Sequence, residues 1–418
     1  MTTERGHRLR IAMFVGSFPV VSETFIANQI IGLIQDGHMV DIFSIDQPKR
    51  NRIHAFIEDN NLLEMCTYLR QNDASKIENA KSIASCLVGN RGWFGARGRS
   101  LLKKTFKRVP DWSYISVFRL AARTLESKPY DIVHCQFGDL GVRVLPLMER
   151  GLITGKLITS IRGHDITQTD RFDQKFYARL MDAADAFLPV SESLRQRLLK
   201  MGCPDKKISI VRSGIDCARF RFTLRNMHYG DAFRIISVAR LVEMKGIEYA
   251  VRAVARIASF GIVCRYEVIG SGPMRSSLET LAAELGIEEQ VIFLGSLNHD
   301  EVVDRLARSH VMIVPSVTAE NGEQEGIPNA LKEAMALGVL VVATKHSGIP
   351  ELVEDGLSGY LVEEKSHVAL ADALQMLHAH PNTWAVLSSN ARRTVECEYD
   401  LPIVHRHLIA AYQATLTH

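Results

Sequence analysis

Two glutamates stand eight positions apart, at Glu325 and Glu333, in a segment where a loop pattern gives way to a helix pattern. The segment follows a short apolar run, and the helix is predicted to begin near Asn329. Because open parallel sheets bind ligands beyond the carboxyl ends of their strands, both carboxylates are expected to face one crevice. There they can hold sugar hydroxyls through charge-assisted hydrogen bonds, while the free amides of Asn329 and Ala330 can meet a phosphate. Two solvated surface glutamates are the alternative interpretation.

Two cations stand in a similar position earlier in the same half of the chain. Arg240 and Lys245 follow the apolar run Arg234–Ala239 and precede Gly246 and a predicted helix. Fixed positive charge beside unpaired backbone N–H groups makes an anion site that suits phosphate. An ordinary charged connection between a strand and a helix is the alternative.

The first half of the chain offers weaker signals. Gly16 follows the first apolar run and resembles half of a phosphate-binding turn, and His164 follows another such run. His164 is expected to reach the cleft from this side, with a purely structural histidine as the alternative. Gly270-Ser-Gly272 begins like a dinucleotide-binding pattern, but Arg275 takes the third glycine position, which disfavours a nicotinamide cofactor. We expect no cofactor.

The elements that must position these residues alternate in type along the chain. Ile11–Val15, a helix from Ser22 to Asp36 and Met39–Ile45 predict a β-α-β unit, with Ser22 as N-cap and Gly37 ending the helix. Further strands are predicted from apolar runs, at Asp131–His134, Leu157–Ile161, Ala186–Val190, Ile208–Val211, Arg234–Ala239, Tyr266–Ile269, Val291–Leu294, Val311–Val314 and Val339–Ala343.

The pattern divides the chain near residue 220, because periodicity is lost over residues 221–232 and a second strand-helix series then begins. We predict an α/β protein with one parallel-sheet domain over residues 1–220 and another over 221–395, facing each other across a cleft. We expect residues 396–418 to form a helix that packs back on the first domain.

Composition limits the class of protein. The 418 residues are 46% hydrophobic and 23% charged, with a net charge of +3. These fractions are typical of a globular protein, and the chain lacks the excess of basic residues expected for nucleic-acid binding. Seven cysteines without zinc-like spacing indicate reduced thiols in a cytoplasmic protein. No run approaches the 18 apolar residues of a membrane span, and none resembles a signal-peptide core.

Together these segments resemble the retaining GT-B glycosyltransferases of glycosyltransferase family 4, most closely the branch that builds bacterial exopolysaccharides. The likeness covers most of the chain and rests on motifs in the family's order: Ser17-Phe-Pro-Val-Val-Ser-Glu-Thr-Phe25, Ser213-Gly-Ile-Asp216, Arg240 with Lys245, Gln324-Glu-Gly-Ile-Pro-Asn329, the Glu325 to Glu333 pair, and Gly348-Ile-Pro-Glu-Leu352.

The resemblance implies two Rossmann-like domains and a role for each motif residue. Arg240 and Lys245 would neutralise the diphosphate of a UDP- or GDP-sugar donor, Glu325 would hold the donor sugar, and Glu333 would bind the ribose. Gly16 would let the first loop approach the diphosphate, and His164 would touch the sugar near the transition state.

Three positions depart from the family pattern. Pro328 replaces a common glycine and offers no N–H, Gln136 stands where this branch often has a second histidine, and Ser271 replaces a frequent acidic residue. The chain also contains no D-x-D motif, which commonly holds a donor-bound metal. We therefore expect no obligatory metal, and retention through same-face attack, with a covalent intermediate on Glu325 as the alternative.

An acid-free stretch over residues 91–110 interleaves basic and apolar side chains, including Lys103, Lys104, Lys107 and Arg108. Its pattern suits an anionic membrane surface and a lipid-linked oligosaccharide acceptor, with a basic surface loop as the alternative. We expect the protein to lie on the inner face of the plasma membrane. A nucleotide-sugar 2-epimerase and a non-catalytic partner subunit of the same fold are the competing functions. The donor sugar, its base, the acceptor and the linkage stay open.

Overall fold

Twelve strands form two sheets in the part of the chain that the computed structural model describes, residues 8–20, 23–48, 55–70, 96–105, 107–126, 128–168, 172–227 and 230–417. The strands are β1 (Arg10–Ser17), β2 (Met39–Asp46), β3 (Cys66–Arg70), β4 (Ile132–Cys135), β5 (Lys156–Ile161), β6 (Ala186–Pro189), β7 (Phe233–Val238), β8 (Cys264–Ile269), β9 (Val291–Gly295), β10 (Val311–Val314), β11 (Leu340–Thr344) and β12 (Tyr360–Val362).

Both sheets are parallel and have the same winding. The first has the strand order β3-β2-β1-β4-β5-β6 and the second the order β12-β11-β10-β7-β8-β9. Residues 11–15 of β1 and all of β11 are buried, as strands covered on both faces must be. The α/β fold with two parallel sheets is therefore confirmed.

Helices cover the sheets on both faces, and several begin with a side-chain cap. They are α1 (Thr24–Gln35), α2 (Ala55–Asp59), α3 (Ala96–Thr105), α4 (Tyr114–Glu126), α5 (Gly138–Glu149), α6 (His164–Thr167), α7 (Gln174–Ala183), α8 (Glu192–Lys200), α9 (Ile247–Ser259), α10 (Arg275–Glu284), α11 (His299–Arg308), α12 (Asn329–Leu337), α13 (His367–Ala379), α14 (Trp384–Glu398) and α15 (Leu401–Thr417). None of these helices is both long and apolar enough to cross a bilayer.

Some element boundaries differ from the sequence prediction. The predicted strand Ile208–Val211 is wrong: Ser209 N and Val211 N pair with carbonyls of β6, but the segment forms only an isolated bridge at Ile208. Helix α1 begins at Thr24, and the predicted N-cap Ser22 lies outside the described residues. Gly37 ends α1 with a φ of +85°, as predicted from its freedom to adopt left-handed backbone.

The last helix, α15, packs on the first domain. The Tyr412 hydroxyl lies 2.6 Å from Nδ1 of buried His134, and His405 Nε2 lies 2.7 Å from Asp36 at the end of α1. Val404, Leu408, Ala411 and Tyr412 belong to the same apolar core as β1 and β4. Helix α15 thus ties the end of the chain to the first sheet.

Further contacts hold the two domains face to face. Glu351, from the Gly348–Leu352 motif of the second domain, accepts hydrogen bonds from Glu192 N (2.9 Å) and Ser193 N (3.1 Å), the free amides that open α8. Gln324 N donates to Thr167 Oγ1 at 2.9 Å. These contacts bring the carboxyl edges of the two sheets together, where the predicted site residues lie.

Candidate active site

Glu325 lies in the loop between β10 and α12, and two side chains bind its carboxylate. Lys245 Nζ donates to its Oε1, and Ser316 Oγ donates to its Oε2 at 3.0 Å. The side chains of Lys245 and Glu325 are only 12% and 13% exposed, so water screens this ion pair weakly. The fold therefore fixes the orientation of Glu325 with its own contacts.

The backbone of Glu325 is anchored by a buried histidine. His346 Nε2 accepts a hydrogen bond from Glu325 N at 3.1 Å, so Nδ1 carries the ring proton and donates it to Glu364 at 2.6 Å. Glu364 also accepts from Thr318 N at 2.8 Å. Burial alone would raise the pKa of Glu364, but the hydrogen bonds from Thr318 and His346 lower it below its usual range.

Helix α12 begins at Asn329 and places Glu333 one turn inside, as the sequence predicted. Glu333 Oε1 lies 3.3 Å from His299 Nε2, and this contact raises the pKa of His299 despite burial of the ring. Thr24 and Asn28 of α1 face the same small pocket as Asn329 and Glu333. The pocket thus lies between the two domains.

Lys332, next to Glu333, is fully buried. Its ammonium donates to Ser213 O (2.7 Å) and Asn329 Oδ1 (2.9 Å) and lies 5.3 Å from the ring centroid of Tyr399. Burial lowers the pKa of Lys332 to about 7, because an apolar site disfavours the charged form. Sequence reasoning missed this residue, since an isolated lysine in a helix usually lies on the surface.

The two predicted phosphate-binding cations have different surroundings. Lys245 ends a 3₁₀ turn and is followed by Gly246, whose φ is +59° and whose added Cβ would lie 2.0 Å from Pro315 O. Only glycine fits there, which brings Lys245 close to the β10 loop. Arg240 is exposed, and its side chain has no hydrogen bond or ion pair with any described residue.

The first domain contributes a turn that presses against the Glu325 loop. Gly163 has a φ of +133°, and a Cβ there would lie 3.2 Å from Gln324 O and Gly326 N. Buried Asp165 fixes the turn by accepting N–H groups from Arg162 (3.0 Å) and Gly163 (2.8 Å). His164, the next residue, is exposed beside the loop, with its ring 5.1 Å from that of Phe137.

Arg162 connects this turn to Gln136 and to the Ser213–Asp216 motif. Its guanidinium donates to Gln136 O (3.0 Å), to the Gln136 side-chain oxygen and to Ser213 Oγ (3.0 Å), and it lies 4.2 Å from the ring centroid of Phe25. Burial lowers the pKa of Arg162 to about 10. Gln136, noted as a departure from the family pattern, thus has a structural partner here. Sequence reasoning missed Arg162 because its partners are distant in the chain.

Gly16 lies inside β1, not in the loop after it as the sequence suggested. A Cβ added to Gly16 would meet no atom within 4 Å. Neither backbone conformation nor packing in the described structure therefore requires glycine at this point. The open space faces the carboxyl edge of the first sheet, where the cleft lies.

The basic residues Lys103, Lys104, Lys107 and Arg108 lie away from this cluster. Lys104 Nζ donates to Gly151 O at 3.3 Å, and Gly151 precedes β5, at the amino edge of the sheet. Lys103, Lys107 and Arg108 are exposed, whereas residues 91–95 of the same stretch lie outside the described residues. The structure brings Glu325, Lys245 and the His164 turn together and leaves these cations at the opposite edge.

Comparison with known proteins agrees with this architecture. The "Glycosyltransferase Family 4" model matches residues 22–219, and the "Glycosyl transferases group 1" model matches residues 224–394. AmsK of Erwinia amylovora, an amylovoran biosynthesis glycosyltransferase, is 32% identical over 96% of this chain and 98% of its own length. This chain belongs to glycosyltransferase family 4. WcaL of Escherichia coli, provisionally assigned as a colanic acid biosynthesis glycosyltransferase, is 33% identical over 97% of this chain and 100% of its own length.

Solved structures show that this family 4 glycosyltransferase has the GT-B fold. Anabaena HepE in complex with UDP and glucose superposes with a TM-score of 0.70 at 16% identity, covering 96% of this chain and 99% of that one. Sucrose-phosphate synthase from Thermosynechococcus elongatus gives a TM-score of 0.73 at 18% identity, covering 97% and 98%. Within the described ranges, no group of three His, Cys, Asp or Glu side chains is arranged to hold a metal ion.

Proposed function

We propose that this enzyme transfers a hexosyl group from a nucleotide diphosphate sugar to a lipid-linked saccharide, with retention of configuration, in bacterial exopolysaccharide biosynthesis. The observation that carries the proposal is the half-buried Glu325 carboxylate held between Lys245 and Ser316 at the interdomain cleft. The names of AmsK and WcaL supply the polysaccharide context, and HepE in complex with UDP and glucose supports a nucleotide-sugar donor.

The donor is bound by the second domain. Arg240, Lys245 and the amides that open α12 at Asn329 and Ala330 neutralise the diphosphate, because cations and free N–H groups stabilise the charge that grows on the leaving phosphate. Glu333 binds the ribose hydroxyls in place of its contact with His299. Gly16 leaves room for the diphosphate on the side of the first domain.

The chemistry takes place between Glu325 and His164. As the bond from the anomeric carbon to the phosphate breaks, Glu325 binds sugar hydroxyls and stabilises the positive charge on the ring, while His164 contacts the sugar from the first domain. The acceptor hydroxyl attacks the same face, and its proton passes to the leaving phosphate oxygen. The fixed cations take the place of a metal, so none is obligatory.

A ligand-binding screen tests the donor class. Unfolding temperatures measured with a panel of UDP- and GDP-sugars should rise for the sugars of one base, because ligands that bind only the folded state stabilise it. The matching sugar nucleotide should then be consumed when acceptor is added. Consumption without any acceptor product would favour an epimerase, and binding without turnover would favour a non-catalytic subunit.

The basic stretch supports a peripheral position on the inner membrane face. Replacing exposed Lys103, Lys107 and Arg108 by Ser should weaken sedimentation with vesicles rich in anionic lipid, since each cation contributes about 1 kcal/mol near such a surface. Lys104 stays unchanged because it holds Gly151. Replacing three exposed basic residues elsewhere, Lys200, Lys206 and Arg252, serves as the control. Equal vesicle binding by both variants would contradict a membrane role for this stretch.

A further inference from the structure

A carboxylate with no partner among the described residues lies on the first-domain side of the cleft. Glu23 directly precedes α1, at the carboxyl edge of the first sheet, and its side chain is half-buried. No hydrogen bond or ion pair joins this carboxylate to any described residue. Removing a charge from water without a compensating partner costs free energy. A half-buried carboxylate of this kind is expected where a bound ligand supplies the missing hydrogen bond.

The neighbours of Glu23 place it at the reaction site. Thr24, the next residue, lines the pocket with Asn329 and Glu333, and the ring of Phe25 lies under the Arg162 guanidinium. The start of α1 therefore faces the second domain across this pocket and contacts Arg162 beside the His164 turn. Glu23 lies at this junction.

Electrostatics locate the carboxylate more closely. Burial raises the pKa of Glu23, while the charges of Arg162 and then His164 lower it by smaller amounts, so both groups lie near the carboxylate. The His164 turn is packed against the loop that carries Glu325. Glu23 and Glu325 thus lie near the same turn, one in each domain, and donors for Glu325 are already provided by Lys245 and Ser316.

We propose that Glu23 binds the acceptor: its carboxylate accepts a hydrogen bond from an acceptor-sugar hydroxyl next to the attacking one. This inference rests on the proposed function and deepens it. Two hydroxyls of one sugar ring are held in a fixed relation, so binding one orients the other toward the anomeric carbon. The attacking hydroxyl keeps its own proton, which passes to the leaving phosphate oxygen as its oxygen bonds to the anomeric carbon. Glu23 itself is unchanged by the reaction.

The test uses the full-length enzyme, its identified donor, and octyl hexosides with their monodeoxy analogues as acceptor probes. Glu23→Gln should raise the acceptor KM about tenfold to a hundredfold, as expected for weakening a hydrogen bond to a charged group, and should leave the donor KM within about threefold. Loss of one particular hydroxyl from the probe should impair the wild type by a similar factor but affect Glu23→Gln less than threefold. Glu149→Gln, at the end of α5, breaks an exposed ion pair with Arg179 on α7; it is the matched control and should behave like the wild type.

The outcomes separate this inference from the function on which it rests. A wild-type acceptor KM in Glu23→Gln, or an equal response of both enzymes to every deoxy probe, overturns the acceptor role of Glu23 alone. A lowered unfolding temperature with a raised donor KM assigns Glu23 to balancing the charge of Arg162 and also overturns it. Absence of transfer by the wild type to every glycoside overturns the proposed function and this inference together.

Discussion

The two sides of the cleft differ in how their carboxylates are held. In the second domain, Glu325 has Lys245 and Ser316 on its side chain and His346 on its backbone. In the first domain, the Glu23 carboxylate has no hydrogen-bond partner among the described residues, and His164 is exposed. Both sides lie at the carboxyl edges of parallel sheets with the same winding, so the fold alone does not explain the difference.

Under the proposed function, this difference divides the work of the reaction between the two domains. Stabilising a leaving diphosphate and a charged sugar requires groups that are already oriented before the reaction, as the contacts of Glu325 are. An acceptor would complete its own site by supplying the hydrogen bonds that the Glu23 carboxylate lacks among the described residues.

The largest effect is expected at Glu325. Glu325→Gln removes the charge that faces the developing positive ring, so transfer should fall by about a thousandfold or more, while affinity for the nucleoside diphosphate changes less than about threefold. Steady-state kinetics and calorimetric binding measure the two quantities. Glu320→Gln, in the same loop but exposed, is the control. Wild-type turnover in Glu325→Gln would show that the cleft has been assigned wrongly.

The two cations should differ in how they couple to Glu325. Lys245→Ala and Arg240→Ala should each cost about 2–4 kcal/mol in kcat/KM, but only Lys245 pairs with Glu325. Double-mutant cycles with Glu325→Gln should therefore be strongly non-additive for Lys245 and nearly additive for Arg240. Only Lys245→Ala should lower the unfolding temperature, since it leaves a buried charge unpaired.

A nucleoside without phosphates provides the check on both cation variants. Its affinity should stay unchanged, because neither cation is proposed to touch the base or ribose. Equal losses of nucleoside and nucleoside diphosphate affinity would indicate misfolding and would contradict the phosphate assignment.

Lys332, which joins α12 to Ser213, makes the stability of the protein depend on pH. Its folded-state pKa of about 7 lies below the ordinary 10.5, so above pH 7 the unfolded chain keeps a proton that the folded chain releases. Stability should therefore rise with pH in this window, by about 2 kcal/mol between pH 7 and pH 9. Denaturant unfolding of Lys332→Met should lack this rise, whereas exposed Lys200→Met should keep it. The same pH dependence in Lys332→Met would contradict a buried, mostly neutral lysine.

Two glycines of the cleft should respond in opposite ways. The methyl group of Gly16→Ala would lie in open space, so the unfolding temperature should stay unchanged. The same methyl group should crowd the diphosphate and lower kcat/KM about tenfold, which corresponds to about 1.4 kcal/mol in the activation barrier. Gly246→Ala should lower the unfolding temperature, because left-handed backbone costs about 1–2 kcal/mol and the new Cβ meets Pro315 O. Full activity in Gly16→Ala would remove Gly16 from the donor site.

The smallest effect is expected from removing metal. If Arg240, Lys245 and the α12 amides neutralise the diphosphate, turnover after dialysis against EDTA should stay within about twofold of the rate of the untreated enzyme. Such a change corresponds to well under 1.4 kcal/mol in the activation barrier. A complete loss that magnesium or manganese restores would contradict this division of charge.

The sequence predicted the Glu325 side of the cleft better than the Glu23 side. Glu325 and Glu333 share one loop-helix segment, so local pattern was enough to place them at a strand end and one turn into a helix. The contacts of Arg162, Lys332 and His346 join residues far apart in the chain, and no local pattern reports such contacts. The lack of a partner for the Glu23 carboxylate among the described residues likewise depends on the fold, and no local sequence pattern indicates it.

The limits of the fold prediction have similar physical causes. Uninterrupted apolar runs such as Val311–Val314 identified central strands. Strands β3 and β12 lie at sheet edges, most of their residues are half-buried, and their sequences gave no clear signal. Ile208–Val211 is apolar and extended, but it adds only single backbone bonds beside β6. Position relative to neighbouring strands decides whether such a run forms a strand.

The anomeric configuration of the product tests the proposed same-face attack at Glu325. Wild-type enzyme should be incubated with its identified nucleotide sugar and an octyl hexoside, and the new glycosidic bond should be read by proton NMR, with Glu325→Gln as the inactive control. If Glu325 holds the donor and the acceptor enters from the Glu23 side to attack the same face, the product should keep the configuration of the donor. A product of opposite configuration, or an unchanged yield from Glu325→Gln, would contradict it.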